Sequence, residues 1–339
     1  MNPSFSSFLV NDAFGDPGVY VDIRWSKRAL LFDLGHNAGL GPTRLLQAND
    51  IFISHTHMDH FIGFDTVLRV ALGRGKTVRL FGPPGLIDNV QGKLHGYTWN
   101  LVDGYPLNLD VQEFHPQKIR QTLFRATDGF RPDEQPARIL APEPATGQFT
   151  VLNDPMFTVR AVSLNHRIPS FAYSLEEQFH INVNKQKLRE ANLPVGAWLK
   201  EVKEYIWQGQ PDEFSFTATL NNKHHREERK FILGEVKEQF CTISRGQKIV
   251  YVVDARFDEE NETKILALAR GADLFYCESP YLDVDAEKAR DRYHLTARQA
   301  GLMARKAEVR NLVVFHFSPR YTGQGDALAR EAMEAFHGT

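Results

Sequence analysis

The feature that most constrains the fold of this chain is a cluster of histidines and an aspartate directly after an apolar run. Segment 53–63 reads ISHTHMDHFIG. Within six positions it holds four side chains that can bind a metal ion: His55, His57, Asp59 and His60. A β-like run at 50–53 precedes the cluster, and the stretch 61–72 is predicted to be helical. The cluster is therefore expected at the carboxyl end of a strand, on the loop that enters a helix.

This donor set predicts a metal site. Neutral imidazole and carboxylate are the ligands expected for zinc, with manganese and iron as alternatives. In extended backbone residues 55 and 57 can point the same way, whereas residues 59 and 60 turn toward a second point nearby. The arrangement suits two adjacent cations better than one. The alternative is an accidental cluster of histidines in a solvated loop.

Length, composition and net charge limit the classes of protein to which this chain can belong. The chain has 339 residues, is 42% hydrophobic and 24% charged, and carries a net charge of −2. These values predict a globular protein with a large core, and they exclude one that acts only through a generally basic, nucleic-acid-gripping surface. No signal peptide and no apolar run of membrane-spanning length is found, which predicts a cytoplasmic protein, neither secreted nor membrane-bound.

Strand patterns separated by helical patterns recur in both halves. A hairpin is predicted at 19–32, and Thr296 is well placed as the N-cap of a helix at 296–308. A further helix is predicted at 260–270. Further strands are predicted at 50–54, 77–81, 157–164, 248–256, 272–279 and 311–318. The fold class expected from this order is α/β, an αββα sandwich of two sheets packed face to face under helices.

Two segments depart from this pattern. Residues 125–150 are rich in proline and polar residues and are predicted to form a long surface loop. Residues 176–235 contain two helical stretches with a break between them. We interpret this second segment as an inserted helical arm that projects from a single domain spanning 1–339.

Three more candidate ligands each follow an apolar, β-like run. His166 ends AVSLNH, Asp254 ends IVYVVD, and His316 ends LVVFH. Individually each is equally consistent with a hydrogen-bonded core residue. Jointly they supply what a binuclear site still lacks, and Asp254 is the natural bridging ligand because a carboxylate can offer one oxygen to each cation.

Through these residues the chain resembles the metallo-β-lactamase superfamily. Within that superfamily it resembles the tRNase Z (ribonuclease Z) group, whose members trim the 3′ side of precursor tRNA. The resemblance runs over most of the chain. It is carried by FDLG at 32–35, the HxHxDH motif, FGPPGL at 81–86, YHLTARQAG at 293–301 and HFSPRY at 316–321. It implies the αββα metallo-β-lactamase fold, and it places the family's tRNA-gripping arm at 176–235.

The resemblance also implies roles for individual residues. One divalent cation would be bound by His55, His57 and His166, and the other by Asp59, His60 and His316, with Asp254 bridging them. Asp33 would support the site from behind. His294 would be the general acid and Glu278 would orient it. From its position one residue before a ligand, Asp59 could also accept a proton from the attacking water. Two zinc ions, an RNA substrate and a homodimer are implied in the same way.

The chain departs from the family pattern at several neighbours of these residues. Val253 and Ala255 flank Asp254, where the family has glycine and threonine. Ser279 follows Glu278 where the family has alanine, and Leu295 follows His294 where it has serine. The metal ligands are kept, so the chemistry is better supported than the tRNA substrate.

The leading hypothesis is therefore a metal-dependent phosphodiesterase of tRNase Z type that attacks the phosphodiester with metal-bound hydroxide. The first alternative is a hydrolase of the same fold acting on a small phosphodiester, a cyclic nucleotide or a lactone. A second alternative is an RNA-binding or scaffold protein that has lost turnover. For His294, the alternative to the acid role is a helix-entry residue that contacts backbone.

Overall fold

The structure is a computed structural model that describes residues 3–24, 26–222 and 225–339. It divides into two compact units. The small unit comprises Met1–Ser4, Leu152–Thr158 and Glu176–Gln247, and the large unit comprises Phe5–Val151, Val159–Leu175 and Lys248–Thr339. All of the candidate site residues belong to the large unit.

The strands of the described residues are β1 (Phe5–Leu9), β2 (Val19–Ile23), β3 (Arg28–Phe32), β4 (Ala48–Phe52), β5 (Thr77–Gly82), β6 (Asn108–Phe114), β7 (Lys118–Arg125), β8 (Pro132–Ile139), β9 (Phe149–Asn153), β10 (Phe157–His166), β11 (Ile168–Glu177), β12 (His180–Val183), β13 (Ser215–Asn222), β14 (His225–Ile232), β15 (Cys241–Ser244), β16 (Lys248–Val252), β17 (Leu274–Glu278) and β18 (Leu312–Phe315). The α-helices are α1 (Gly41–Gln47), α2 (Met58–Phe61), α3 (Phe64–Ala71), α4 (Leu86–His95), α5 (Lys185–Glu190), α6 (Trp198–Trp207), α7 (Leu233–Phe240), α8 (Glu259–Ala269), α9 (Ala286–Asp291), α10 (Ala297–Lys306) and α11 (Gly325–His337).

Two large sheets organise these elements. An eight-stranded sheet runs in the order β1 to β8, and a six-stranded sheet has the order β18-β17-β16-β11-β10-β9. Strands β3 to β6 are parallel to one another in the first sheet, as are β16 to β18 in the second. Parallel strands bring their carboxyl ends to one edge of a sheet, which is where open α/β folds bind ligands.

Aromatic side chains join the two sheets of the large unit. The ring of Phe32 on β3 lies 5.8 Å from that of Tyr173 on β11 and 5.7 Å from that of Tyr251 on β16. Alternate residues of a strand point to opposite faces of its sheet. The face of each sheet that does not meet the other sheet is covered by helices. Leu31 packs with residues of α1 and α3, and Val250 packs with residues of α8, α10 and α11. The predicted αββα sandwich is confirmed.

Local predictions around the site are confirmed as well. Strands β2 and β3 form the expected antiparallel hairpin. Thr296 is the N-cap of α10 in a capping box, since its hydroxyl accepts from the Gln299 amide at 3.2 Å and its own amide donates to the Gln299 side chain at 2.9 Å. The helix predicted at 61–72 begins earlier, at Met58, and is divided into α2 and α3.

The prediction of a surface loop at 125–150 is wrong. Residues 132–139 form β8, which pairs antiparallel with β7, and Phe149 begins β9. Strand β8 is the last strand of its sheet, and most of its side chains are exposed. An edge strand tolerates proline and polar residues because one side of its backbone makes no ladder hydrogen bonds. Its composition therefore resembles that of a loop.

The small unit has its own apolar core. Strands β12 and β15 pair antiparallel, and β13 pairs with β14 over eight residues. Trp198 and Val202 of α6 are buried with Leu188 of α5 and Val236 of α7. Ser4, Glu177 and His180 form a buried polar cluster in this unit. Among the described helices of the chain, none combines the length and the apolar character needed to cross a lipid bilayer.

A close approach of backbone at Gly63, between α2 and α3, predicts a stability effect. A Cβ at this position would lie 2.2 Å from the carbonyl oxygen of Gly35 and 2.5 Å from Nδ2 of Asn37. We expect Gly63→Ala to lower the free energy of unfolding by about 1–3 kcal/mol, because the loop at 35–37 must move. Urea denaturation of the purified variant measures this loss.

The matched control is Gly92→Ala. Gly92 lies inside α4, and a Cβ there would meet no heavy atom of the described residues within 4 Å, apart from its chain neighbours and the backbone of its own helix. Alanine is favoured over glycine in a helix by up to about 1 kcal/mol, so this variant should be slightly stabilised. Equal destabilisation of the two variants would contradict the argument from the Gly63 contact.

Candidate metal centre

The candidate ligands converge from strand ends of both sheets. Segment 55–60 leaves β4 and enters α2, with His57 as the helix N-cap. His166 is the last residue of β10, and Asp254 and His316 follow β16 and β18. Strands β4, β16 and β18 each have a parallel neighbour in their sheet, and the carboxyl ends of parallel strands lie at one edge of a sheet. His166 at the end of β10 joins the side chains that follow these strands.

One group of possible ligand atoms belongs to His55, His57, His166 and Asp254, all within 4.8 Å of one another. Oδ2 of Asp254 lies 3.4 Å from Nε2 of His55 and 3.1 Å from Nε2 of His166. His55, His166 and Asp254 are buried, whereas His57 is exposed. The site is thus closed on one side and open to solvent on the other.

A second group comprises Asp59, His60 and His316, whose possible ligand atoms also lie within 4.8 Å of one another. Oδ2 of Asp59 lies 3.3 Å from Nε2 of His60 and 3.3 Å from Nε2 of His316. Asp254 reaches this group too, with its carboxylate 3.6 Å from Nε2 of His60 and 3.0 Å from Nδ1 of His316. Asp254 is therefore the carboxylate common to the two groups.

The residues fit a pair of divalent cations. Several buried polar atoms make no hydrogen bond within the described part of the chain, including Nε2 of His55, Nε2 of His60 and Oδ1 of Asp254. A buried polar atom without a partner is costly, and such atoms are rare in proteins. Their convergence from separate strands is the arrangement expected of metal ligands, whose lone pairs point to a cation rather than to a hydrogen.

The electrostatic environment differs between the histidines of the two groups. Burial lowers the pKa of His55 to about 2, so its imidazole is neutral and its lone pair is free to bind a metal. Burial opposes protonation of His60 as well, but Asp254 and Asp33 outweigh it and raise the pKa of that imidazole to about 10. These two carboxylates thus favour the protonated form of His60. A cation that binds this imidazole would displace that proton.

Asp33 fixes the orientation of His60. Its Oδ2 accepts hydrogen bonds from Nδ1 of His60 at 2.9 Å, from the Ser54 hydroxyl at 2.7 Å and from the Tyr251 hydroxyl at 2.8 Å. Its Oδ1 accepts from the Ser54 amide at 2.6 Å. Because Nδ1 of His60 carries the proton, Nε2 is left to bind a metal. His166 is fixed in the same way by the carbonyl of Tyr293, at 2.8 Å.

His294 and Glu278 form a hydrogen-bonded pair at the rim of this cluster. Nδ1 of His294 donates to Oε2 of Glu278 at 2.8 Å. Oε1 of Glu278 accepts from the amides of Ala255 and Leu295, at 2.9 and 3.2 Å. Burial would lower the pKa of His294, but the carboxylate of Glu278 outweighs it and raises that pKa. Possible ligand atoms of Asp254, Glu278, His294 and His316 also lie within 4.8 Å of one another. Both oxygens of Glu278 already accept hydrogen bonds, which suits a positioning role for this carboxylate.

Backbone strain marks three residues of the site. Asp33, Asp254 and His316 have φ of 59°, 48° and 60°. Non-glycine residues in this left-handed region cost about 1–3 kcal/mol each and persist only where surrounding structure holds them. The strain turns each side chain inward at the end of its strand.

The structure thus brings together all of the site residues that the sequence suggested: His55, His57, Asp59, His60, His166, Asp254, Glu278, His294 and His316, with Asp33 behind them. Sequence reasoning missed Ser54 and Tyr251, which hold Asp33. Ser54 has a weak signal, since it directly precedes the histidine motif. Tyr251 has none, because it lies on a buried strand among apolar residues.

Comparison with known proteins gives the following likenesses. No profile of a known protein family matches the chain. Ribonuclease Z of Synechococcus sp. (strain CC9605) is 30% identical to it over 300 residues, which cover 86% of this chain and 77% of that protein. The structure of human tRNase Z, short form, matches with a TM-score of 0.56 at 19% identity and covers 93% of each chain. The metallo-β-lactamase fold protein YhfI of Bacillus subtilis matches with a TM-score of 0.55 at 15% identity, over 98% of this chain and 92% of that one. The two structural likenesses establish the fold.

Proposed function

Because the chain belongs to the ribonuclease Z family, we propose that it is a metal-dependent endoribonuclease that cleaves precursor tRNA on the 3′ side. The observation that carries the proposal is the pairing of two ligand groups through Asp254 with the His294–Glu278 pair at their rim. A pair of metal ligand groups supplies a phosphodiesterase centre, and an imidazole held by a carboxylate supplies the acid that such a reaction needs.

The ligand residues would be His55, His57 and His166 for one cation and Asp59, His60 and His316 for the other, with Asp254 shared. When bound, two divalent cations polarise the phosphodiester and lower the pKa of water at the site. The side chain of Asp59 is 43% exposed. Burial would raise the pKa of its carboxyl, but hydrogen bonds from His316 and His60 outweigh it and keep the group ionised, so the carboxylate would accept the proton of the attacking water.

His294 serves the departing group. In-line attack on the phosphodiester expels a ribose 3′ oxygen, which must gain a proton. The imidazole of His294 is 18% exposed, and its Nδ1 is held by Glu278, so Nε2 is the atom that can donate. Glu278 favours the protonated imidazole and keeps its ring in one orientation.

The proposal extends to the identity of the cation, the cellular location, the oligomeric state and the role of segment 176–235. We propose zinc as the cation because imidazole dominates the ligand set. We also propose a cytoplasmic homodimer, as the family resemblance implies. Segment 176–235 would grip the tRNA. In its support, α5 presents three exposed cationic side chains: Lys185, Lys187 and Arg189.

The test is cleavage of a 3′-extended precursor tRNA by the purified, zinc-loaded protein. We expect a single cut at the 3′ side of the acceptor stem, and we expect it to vanish after treatment with a chelator and to return with added zinc. Gel analysis against a size ladder locates the cut. Hydrolysis of bis(p-nitrophenyl) phosphate without any cut in the precursor would retain the metal chemistry and reject tRNA as the substrate.

A further inference from the structure

Two arginines pack on one tyrosine beside the metal centre, and the mechanism above uses neither of them. Cζ of Arg167 lies 4.8 Å from the ring centroid of Tyr293, and Cζ of Arg256 lies 5.2 Å from it. The same ring lies 6.4 Å, between centroids, from the imidazole of His166. The two guanidinium groups are therefore one side chain removed from a candidate metal ligand.

The backbone of both arginines is held in a fixed relation by hydrogen bonds. The amide of Arg256 donates to the carbonyl of Asn165 at 3.0 Å, and the amide of Arg167 donates to Oδ1 of Asn165, also at 3.0 Å. The buried side chain of Asn261 links the same two loops, because its Nδ2 donates to the carbonyls of Asn165 and Arg256 at 3.1 and 2.8 Å. These hydrogen bonds fix the backbone of Arg167 relative to that of Arg256.

Neither guanidinium group is paired with a carboxylate in the part of the chain that the structure describes. Within the described ranges, no carboxylate oxygen lies within the 4.0 Å of an ion pair from either guanidinium group. Nε of Arg256 is buried and has no hydrogen-bond partner among the described residues, whereas Arg167 is exposed. Two like charges on one ring repel each other, so an anion that binds both would be stabilised.

We propose that Arg167 and Arg256 bind a backbone phosphate of the RNA adjacent to the phosphate that is cleaved. This inference rests on the RNA substrate proposed above. The planar guanidinium fork matches phosphate geometry and can bind it through two parallel hydrogen bonds. Stacking on Tyr293 restricts the rotamers of both side chains, which lowers the entropy lost on binding. The pair would set which phosphodiester of the strand enters the metal centre, and so helps to determine the cleavage position.

The test measures how binding of a 3′-extended precursor tRNA depends on salt. Zinc-loaded protein in a His294→Gln background, which suppresses cleavage during the titration, is titrated at several salt concentrations. We expect Arg167→Ala with Arg256→Ala to reduce the slope of log K against log salt by about 0.7–0.9 for each lost phosphate contact. The double Arg→Lys variant should restore the slope but not the full affinity, because lysine keeps the charge and loses the fork. A purely structural role would not separate the two variants.

The control is Arg74→Ala, which removes an exposed arginine from the turn before β5 and should leave the slope unchanged. An unchanged slope in the double alanine variant would overturn the phosphate site. Cleavage by the protein with His294 intact is scored separately. Binding without cleavage would count against the proposed function, while the slope comparison would still decide the role of the arginines. A protein that binds no precursor at all would overturn both.

Discussion

Replacing His294 by alanine should reduce kcat for a precursor tRNA by about 10²–10⁴-fold, the range supplied by a general acid, while the protein keeps two zinc ions per chain. The reason is that Nδ1 of His294 is bound to Glu278 at 2.8 Å rather than engaged as a ligand. Single-turnover cleavage of a 3′-labelled precursor measures the rate, and metal analysis of the same sample measures the zinc.

A second substrate makes this prediction specific to proton donation. Bis(p-nitrophenyl) phosphate releases nitrophenolate, a stable anion that needs no proton, so its hydrolysis should fall far less in the His294→Ala variant. The matched control is His115→Ala, since His115 pairs with Glu113 at 3.1 Å and is 23% exposed, yet lies outside the site. Equal losses on both substrates would refute the acid role and indicate that His294 maintains the metal centre.

The candidate ligands are evident in the sequence, whereas one strand of the first sheet is not. The candidate ligands follow apolar strands, and a polar residue directly after such a run stands out in the sequence, as His166, Asp254 and His316 do. Strand β8 was missed because an edge strand needs neither alternation nor an apolar face. Its residues are mostly exposed, so composition alone does not distinguish them from a loop.

Residues that act through tertiary hydrogen bonds leave no local pattern. Tyr251 reaches Asp33 across 218 positions of sequence, and Asn261 joins Asn165 across 96. Both partners come together only once the strands are paired. The left-handed backbone at Asp254 is equally hidden, because it is imposed by the packed strand ends rather than by residue type. Supporting residues therefore require the structure, even where the ligands themselves are evident.

The second large effect is expected from Asp254→Asn, which should leave at most one tightly bound zinc ion per chain and lower kcat by at least about 10²–10³-fold, the usual loss for one electrostatic group. One carboxylate serves both ligand groups, with oxygens 3.1 Å from His166 and 3.0 Å from His316, and an amide supplies only one oxygen. Asparagine tolerates the left-handed backbone of this position, so the fold should persist. Zinc titration against a chromogenic chelator and activity on a precursor measure the two effects.

Asp50→Asn is the control that separates a lost metal from a lost buried charge. Asp50 is as buried as Asp254, but its carboxylate accepts from Nε of Arg79 at 2.5 Å and lies outside the site. Removing one partner of a buried pair destabilises a protein. The control should therefore unfold at lower urea while binding two zinc ions. The Asp254→Asn variant should instead bind less zinc without unfolding at lower urea. The carboxylate that it loses lies among imidazoles that a cation would hold together. If the Asp254 variant retained both zinc ions, the shared-ligand assignment would be wrong, and each group would have to bind its cation alone.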